Sequence, residues 1–136
     1  MSFFTAETTA HVTGTQLEHL GKSLAQQPGP RLDLARMQIT TDAADALVGD
    51  CLSAVEHGRD DATLRVLEVK AAAGEASIDV TDVAMKVCGG AAFRRELGVE
   101  RRFRDARAAR VMAPTTDALH DFIGRALTGL PLLGDV

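Results

Sequence analysis

The residues able to do acid–base, metal or nucleophilic chemistry are few and scattered. Histidines stand at 11, 19, 57 and 120. His11 and His19 are roughly two helical turns apart, and no acidic or cysteine partner stands at a ligand spacing, so no metal site is expected. His120 next to Asp121 resembles an acid–base pair on paper. Consecutive helix residues point about 100° apart, however, so the two read as solvated helix surface. Cys51 and Cys88 lack a CxxC spacing and read as small buried hydrophobes in a reducing compartment. Gly89-Gly90 has neither a preceding strand nor a following Lys-Ser/Thr, which excludes a P-loop; it reads as a helix stop. Seven of the twelve arginines (Arg94, Arg95, Arg101, Arg102, Arg104, Arg107 and Arg110) fall within seventeen residues, giving that segment +4 and the rest of the chain −8. They suit either phosphate docking or Arg–Asp bracing of a helical assembly, with the remaining arginines solvated, and the second reading carries more weight.

These residues must be positioned by helices. Punctuation falls at QQPGPR (26–31), HGRDD (57–61), CGGAA (88–92), MAPTTD (112–117) and GLPLLG (129–134). A first helix is expected over Phe4 to Leu24. In the next segment Leu32, Ala35, Ile39, Ala43, Ala46 and Ala54 recur at spacings near three and four, with Leu47 and Cys51 alongside. In the third, one stripe runs Leu64, Leu67, Ala71, Gly74, Ile78, Met85 and another Val66, Val69, Ala73, Ala76, Val80, Val83, as on a helix with two neighbours. Thr115 or Thr116 reads as the N-cap of a last helix. Short turns between long helices predict an all-α, antiparallel up-down-up-down four-helix bundle forming a single domain over 1–136. The first helix is short beside its neighbours, so apolar surface on them is expected to want a partner.

Composition narrows the function classes. Five Phe and no Tyr or Trp leave a core of Ala, Leu, Val, Ile and Met. The net charge of −4 and the lack of interleaved aromatics speak against nucleic-acid binding. No run approaches the roughly 20 apolar residues of a membrane span, and the amino terminus lacks signal-peptide character, so a cytoplasmic location is expected.

The text VTDVAMKVCGGAAFRRELGVERRFRDARAARVMAPTTDALHDFIGRAL resembles the last helices of the acyl-CoA dehydrogenase family. That family carries a Gln-x-His-Gly-Gly-type turn, an Arg-Glu-x-x-Val-Glu segment, Arg-Asp-Ala-Arg/Lys, then Glu-Gly-Thr before a final helix. Upstream, HLGKSLAQQPGPRLDLARM is similar to the family's Phe-Gly-x-x-Leu turn and following helix. The resemblance implies the carboxy-terminal bundle of a three-domain flavoprotein in which two bundles share each FAD.

Departures from the pattern limit what the resemblance implies. The family's α-proton-abstracting glutamate aligns with Ala113, which cannot take a proton. The positions of a flavin-binding arginine and two glutamines hold Leu17, Lys86 and Leu119. Gly89, Gly90 and Thr115 remain as flavin-side contacts, with no catalytic residue among them. The expected role is therefore a non-catalytic subunit or part of a flavin-dependent acyl-CoA dehydrogenase assembly. It would form a homo-oligomer, or a hetero-oligomer with a full-length homologue, with FAD held only in the assembly. The alternative is a stand-alone bundle adapted to ligand binding or another reaction in a cavity between helices.

Overall fold

Proline and glycine set the boundaries of the helices in the computed structural model, which describes residues 3–18 and 20–133. Helix α1 (Phe3–Gly14) is followed by two short antiparallel strands, β1 (Gln16–Leu17) and β2 (Lys22–Ser23). The long helices α2 (Pro28–Glu56) and α3 (Ala62–Cys88) come next, then α4 (Val99–Ala106), α5 (Ala108–Val111) and α6 (Thr116–Leu127). Single 3₁₀ turns occupy 24–26 and 89–93. The architecture is the expected all-α antiparallel bundle: α2 and α3 lie side by side, α1 packs against both, and α4 and α6 pack on α3.

Three local expectations need correction. The first helix stops at Gly14, ten residues before Leu24, because Gly21 turns the chain back at φ +60° and pairs Gln16 with Ser23. The Pro-Gly-Pro run opens α2 instead of lying outside it. Pro28 sits in the first turn, where its missing N–H is not needed. The stripe expected to face the core from α2 is largely solvated: Leu32 and Ile39 are 59% and 69% exposed. The face turned inward carries Asp33 and Met37, which the stripe left out, together with Cys51 and Ala54, which it included. Alanine-rich α2 is apolar on more than one side, so periodicity alone did not say which side is covered.

Helix α3 is central, touching α1, α2 and α4 to α6. Ala84 of α3 meets Met37 of α2 in a cluster completed by Val80, Cys88, Ala92 and Val99, with Leu34 and Leu97 around it. A Cβ built on Gly74 would lie 3.4 Å from that of Ala109, so small residues set how closely α3 and α5 approach. Cys51 and Cys88 are free and buried, and burial pushes the Cys88 thiol pKa up, which makes it a poor nucleophile.

The α2–α3 turn is clamped by charge. Arg59 spans Asp50 and Asp61, both at 2.7 Å, and Arg65 reaches the same two carboxylates at 3.2 and 3.1 Å. The Arg59 hydrogen bond holds the Asp61 carboxyl below the ordinary carboxylate range. Among the described residues no helix is long and apolar enough to cross a membrane.

Candidate functional site

Gly89 and Gly90 end α3 and open the 3₁₀ turn over 89–93. Gly89 has φ +54° and ψ −137°, a backbone conformation open to glycine and strained for any residue with a Cβ. Nothing lies within 4 Å of a Cβ built at either glycine. The demand for glycine at 89 is therefore conformational, and the backbone of both residues is open to an incoming group. Gly89→Ala is expected to lower stability by about 1–3 kcal/mol, measured by urea denaturation. At Gly90, which has no positive φ, the same change should fall within about 1 kcal/mol.

Thr115 lies at the other end of the arrangement. It caps α6, its hydroxyl oxygen accepting from the Ala118 amide at 3.4 Å. The preceding loop is tied to α3 by Lys70, whose Nζ donates to the Pro114 carbonyl at 3.0 Å. Ala113 is exposed in this loop. Thr115, Glu75, Arg110, Thr116, Asp117 and His120 surround a surface concavity of about 350 Å³. His120 faces Glu75 at 3.8 Å, while Asp121 pairs with Arg125 at 3.0 Å. His120 and Asp121 thus point to different partners, and the cross-helix partner Glu75, forty-five positions away, left no signal in local spacing.

One chain does not bring the three flavin-side candidates together. Thr115 sits beside Glu75, whereas Gly89 ends the same helix fourteen residues on, about 21 Å away at 1.5 Å per residue. The three departing positions are structurally occupied. Lys86 binds the buried Asp33 at 2.7 Å, Leu119 is 1% exposed in the core, and Leu17 is held in β1.

The arginine cluster divides into braces and solvated groups. Arg102 pairs with Glu7 of α1, and Arg107 pairs with Asp82 of α3 while lying 3.9 Å over the Phe103 ring. Arg104–Glu100 and Arg101–Asp105 close within α4 at 3.3 and 3.5 Å. Arg94, Arg95 and Arg110 are exposed and make no ion pair among the described residues. No group of three His, Cys, Asp or Glu able to hold a metal ion occurs among the described residues, and His19 lies outside them.

The acyl-CoA dehydrogenase C-terminal domain model matches residues 6–128. The chain belongs to this family. It is 31% identical over 115 residues to the 3-sulfinopropanoyl-CoA desulfinase of Paraburkholderia xenovorans, covering 85% of this chain and 29% of that protein. Butyryl-CoA dehydrogenase from Megasphaera elsdenii superposes with a TM-score of 0.84 at 25% identity, covering 92% of this chain and 32% of that one. The FAD complex of PigA superposes at 0.85 with 21% identity, again over 92% and 32%, a likeness of fold alone. The chain thus spans about a third or less of these relatives. The Arg107–Asp82 and Arg102–Glu7 braces lie inside the region matched to the family model.

Proposed function

We propose that this bundle works as the C-terminal part of a flavin-dependent acyl-CoA dehydrogenase-type assembly, contributing cofactor edges and bracing but no proton-abstracting group. The observation that carries this reading is the combination of a family-typical bundle over residues 6–128 with an exposed alanine, Ala113, where the pattern places the base. A methyl group accepts no proton, and no carboxylate of the 112–115 loop substitutes for it.

The residues present fit two separate edges of a flavin cofactor and do not form an enclosing pocket. Gly89 and Gly90 offer open backbone at one edge, with Arg94 and Arg95 close by in sequence to meet phosphate oxygens. The Thr115 hydroxyl, which accepts one weak bond, keeps its proton to donate at the other edge. When bound, the flavin supplies the hydride acceptor. The separation of about 21 Å along α3 means that a small ring system cannot touch both edges of one bundle, so either an extended cofactor or two bundles must be involved. The chain's own contribution is thus to bind and orient, with acid–base work left to another polypeptide or domain.

Thr115 tests this reading within an assembly formed with a full-length homologue. Thr115→Val removes the donor, and Thr115→Ser keeps it. The valine variant is expected to lower the flavin retained after desalting by about tenfold, a loss of 1.4 kcal/mol, and the serine variant to restore it. Equal flavin retention in all three proteins would remove Thr115 from the site.

A further inference from the structure

We infer that Lys70 is a positioning residue for the Thr115 edge: it holds the 112–114 loop against α3 and so sets where the Thr115 hydroxyl meets a flavin in the assembly. This role rests on the reading of Thr115 as a cofactor edge. It adds a residue one element away that touches no cofactor and acts through Thr115.

The segment between α5 and α6 has little else to hold it. Every residue from Val111 to Thr115 is exposed, so no buried side chain anchors it. Its backbone bonds are local. The Met112 amide donates to the Ala108 carbonyl at 3.0 Å, and the Thr115 carbonyl accepts from the Leu119 amide at 2.9 Å. The Thr115 hydroxyl accepts from Ala118, again inside α6. Among the described residues, the hydrogen bonds that cross from this segment to another helix come from Lys70 alone. Its Nζ donates to the Pro114 carbonyl at 3.0 Å and to the Met112 carbonyl at 3.5 Å. An ammonium carries three donors, and its two acceptors flank Ala113, so one side chain straddles the loop.

The base of this tether is fixed. Lys70 precedes Ala71, which is buried, and one turn later Gly74 of α3 comes close to Ala109 of α5. The helix that carries the ammonium and the helix that leads into the loop therefore approach closely at this point. Lys70 makes no ion pair among the described residues, so the carbonyls are the partners of its charge, and such charge-assisted bonds are stronger than neutral ones. Thr115 directly follows Pro114, so a shift of the Pro114 carbonyl passes through one peptide to the Thr115 hydroxyl. Leu119, buried one turn further on, keeps α6 docked on α3. Loss of Lys70 should thus free the loop and the first turn of α6 while the helix stays in place. A displacement of about 1 Å is enough to spoil a contact that must meet a ligand.

Lys70→Met keeps the stem and removes the donors, and Lys70→Arg keeps a cation with N–H groups. In the chain alone, Lys70→Met is expected to speed exchange of the Ala118 amide about fivefold and to leave the α3 amides from Ile78 to Val87 unchanged. In the assembly with a full-length homologue it should lower the flavin retained after desalting about fivefold, and Lys70→Arg should recover most of it. Added to Thr115→Val, Lys70→Met should cause no further loss, because a residue that acts through Thr115 then has no donor left to position. Losses that multiply in the double variant would overturn this role, since Lys70 would be acting independently of Thr115. So would full flavin retention in Lys70→Met beside a loss in Thr115→Val, which would leave Thr115 as a cofactor edge without Lys70. Full retention in Thr115→Val itself would sink the reading of Thr115 and the role of Lys70 with it.

Discussion

Met37→Ala is expected to lower the unfolding free energy by about 2–5 kcal/mol, enough to take the melting temperature down by about 10 °C or more. Met37 is 1% exposed and is the single α2 member of the buried cluster with Val80, Ala84, Cys88, Ala92 and Val99. The facing residue Ala84 is fully buried and too small to move into the space. Truncation therefore removes apolar contact and leaves a cavity that rigid helices on both sides cannot close. Met37→Leu nearly conserves volume and should cost less than about 1.5 kcal/mol. Urea denaturation of the three proteins checks the pair. A loss below about 1 kcal/mol for the alanine variant would mean that α2 packs on α3 in another register.

Leu119→Ala should act more locally, lowering stability by about 2–4 kcal/mol and loosening α6 first. Leu119 is the one buried residue of α6 and is 1% exposed. The helix is twelve residues long, too short to persist in water without its packing face. Released from α3, it would also release Thr115, so the capping amide and the candidate cofactor edge should be lost together. Native-state hydrogen exchange is expected to show α6 amides losing protection while those of α3 between Ile78 and Val87 keep most of theirs. Uniform loss across both helices would place α6 in the same cooperative unit as the central core.

Much of this was legible in the sequence, for identifiable reasons. Proline and glycine at 28–30, 58, 89–90 and 114 mark real ends or starts of helices. The double stripe on α3 matches its central position, since a helix with neighbours on several sides must be apolar around much of its girth. Thr115 was readable as an N-cap because a hydroxyl residue before a helical run can satisfy a free amide. The inward face of α2 was legible only at its carboxy-terminal part, Cys51 and Ala54. With alanines on several sides, burial is decided by which partner arrives, and Asp33 is buried because Lys86 and Arg36 meet it from α3 and from α2 itself. The β1–β2 hairpin was missed because two-residue strands carry no periodicity. Long-range pairs such as His120–Glu75 and Arg102–Glu7 depend on how the helices are set side by side, information that spacing within a helix does not contain.

The central claim is that this bundle supplies cofactor edges to an assembly and does not hold flavin by itself. The direct test is size-exclusion chromatography of the purified 14.4 kDa chain after incubation with excess FAD, with light scattering and visible absorbance recorded on the same peak, first alone and then with a full-length family member. The account predicts a colourless peak for the chain alone and a yellow, larger complex in the mixture. A yellow peak at the mass of one chain, carrying one flavin per chain, would contradict it, because one bundle would then hold the cofactor without a partner.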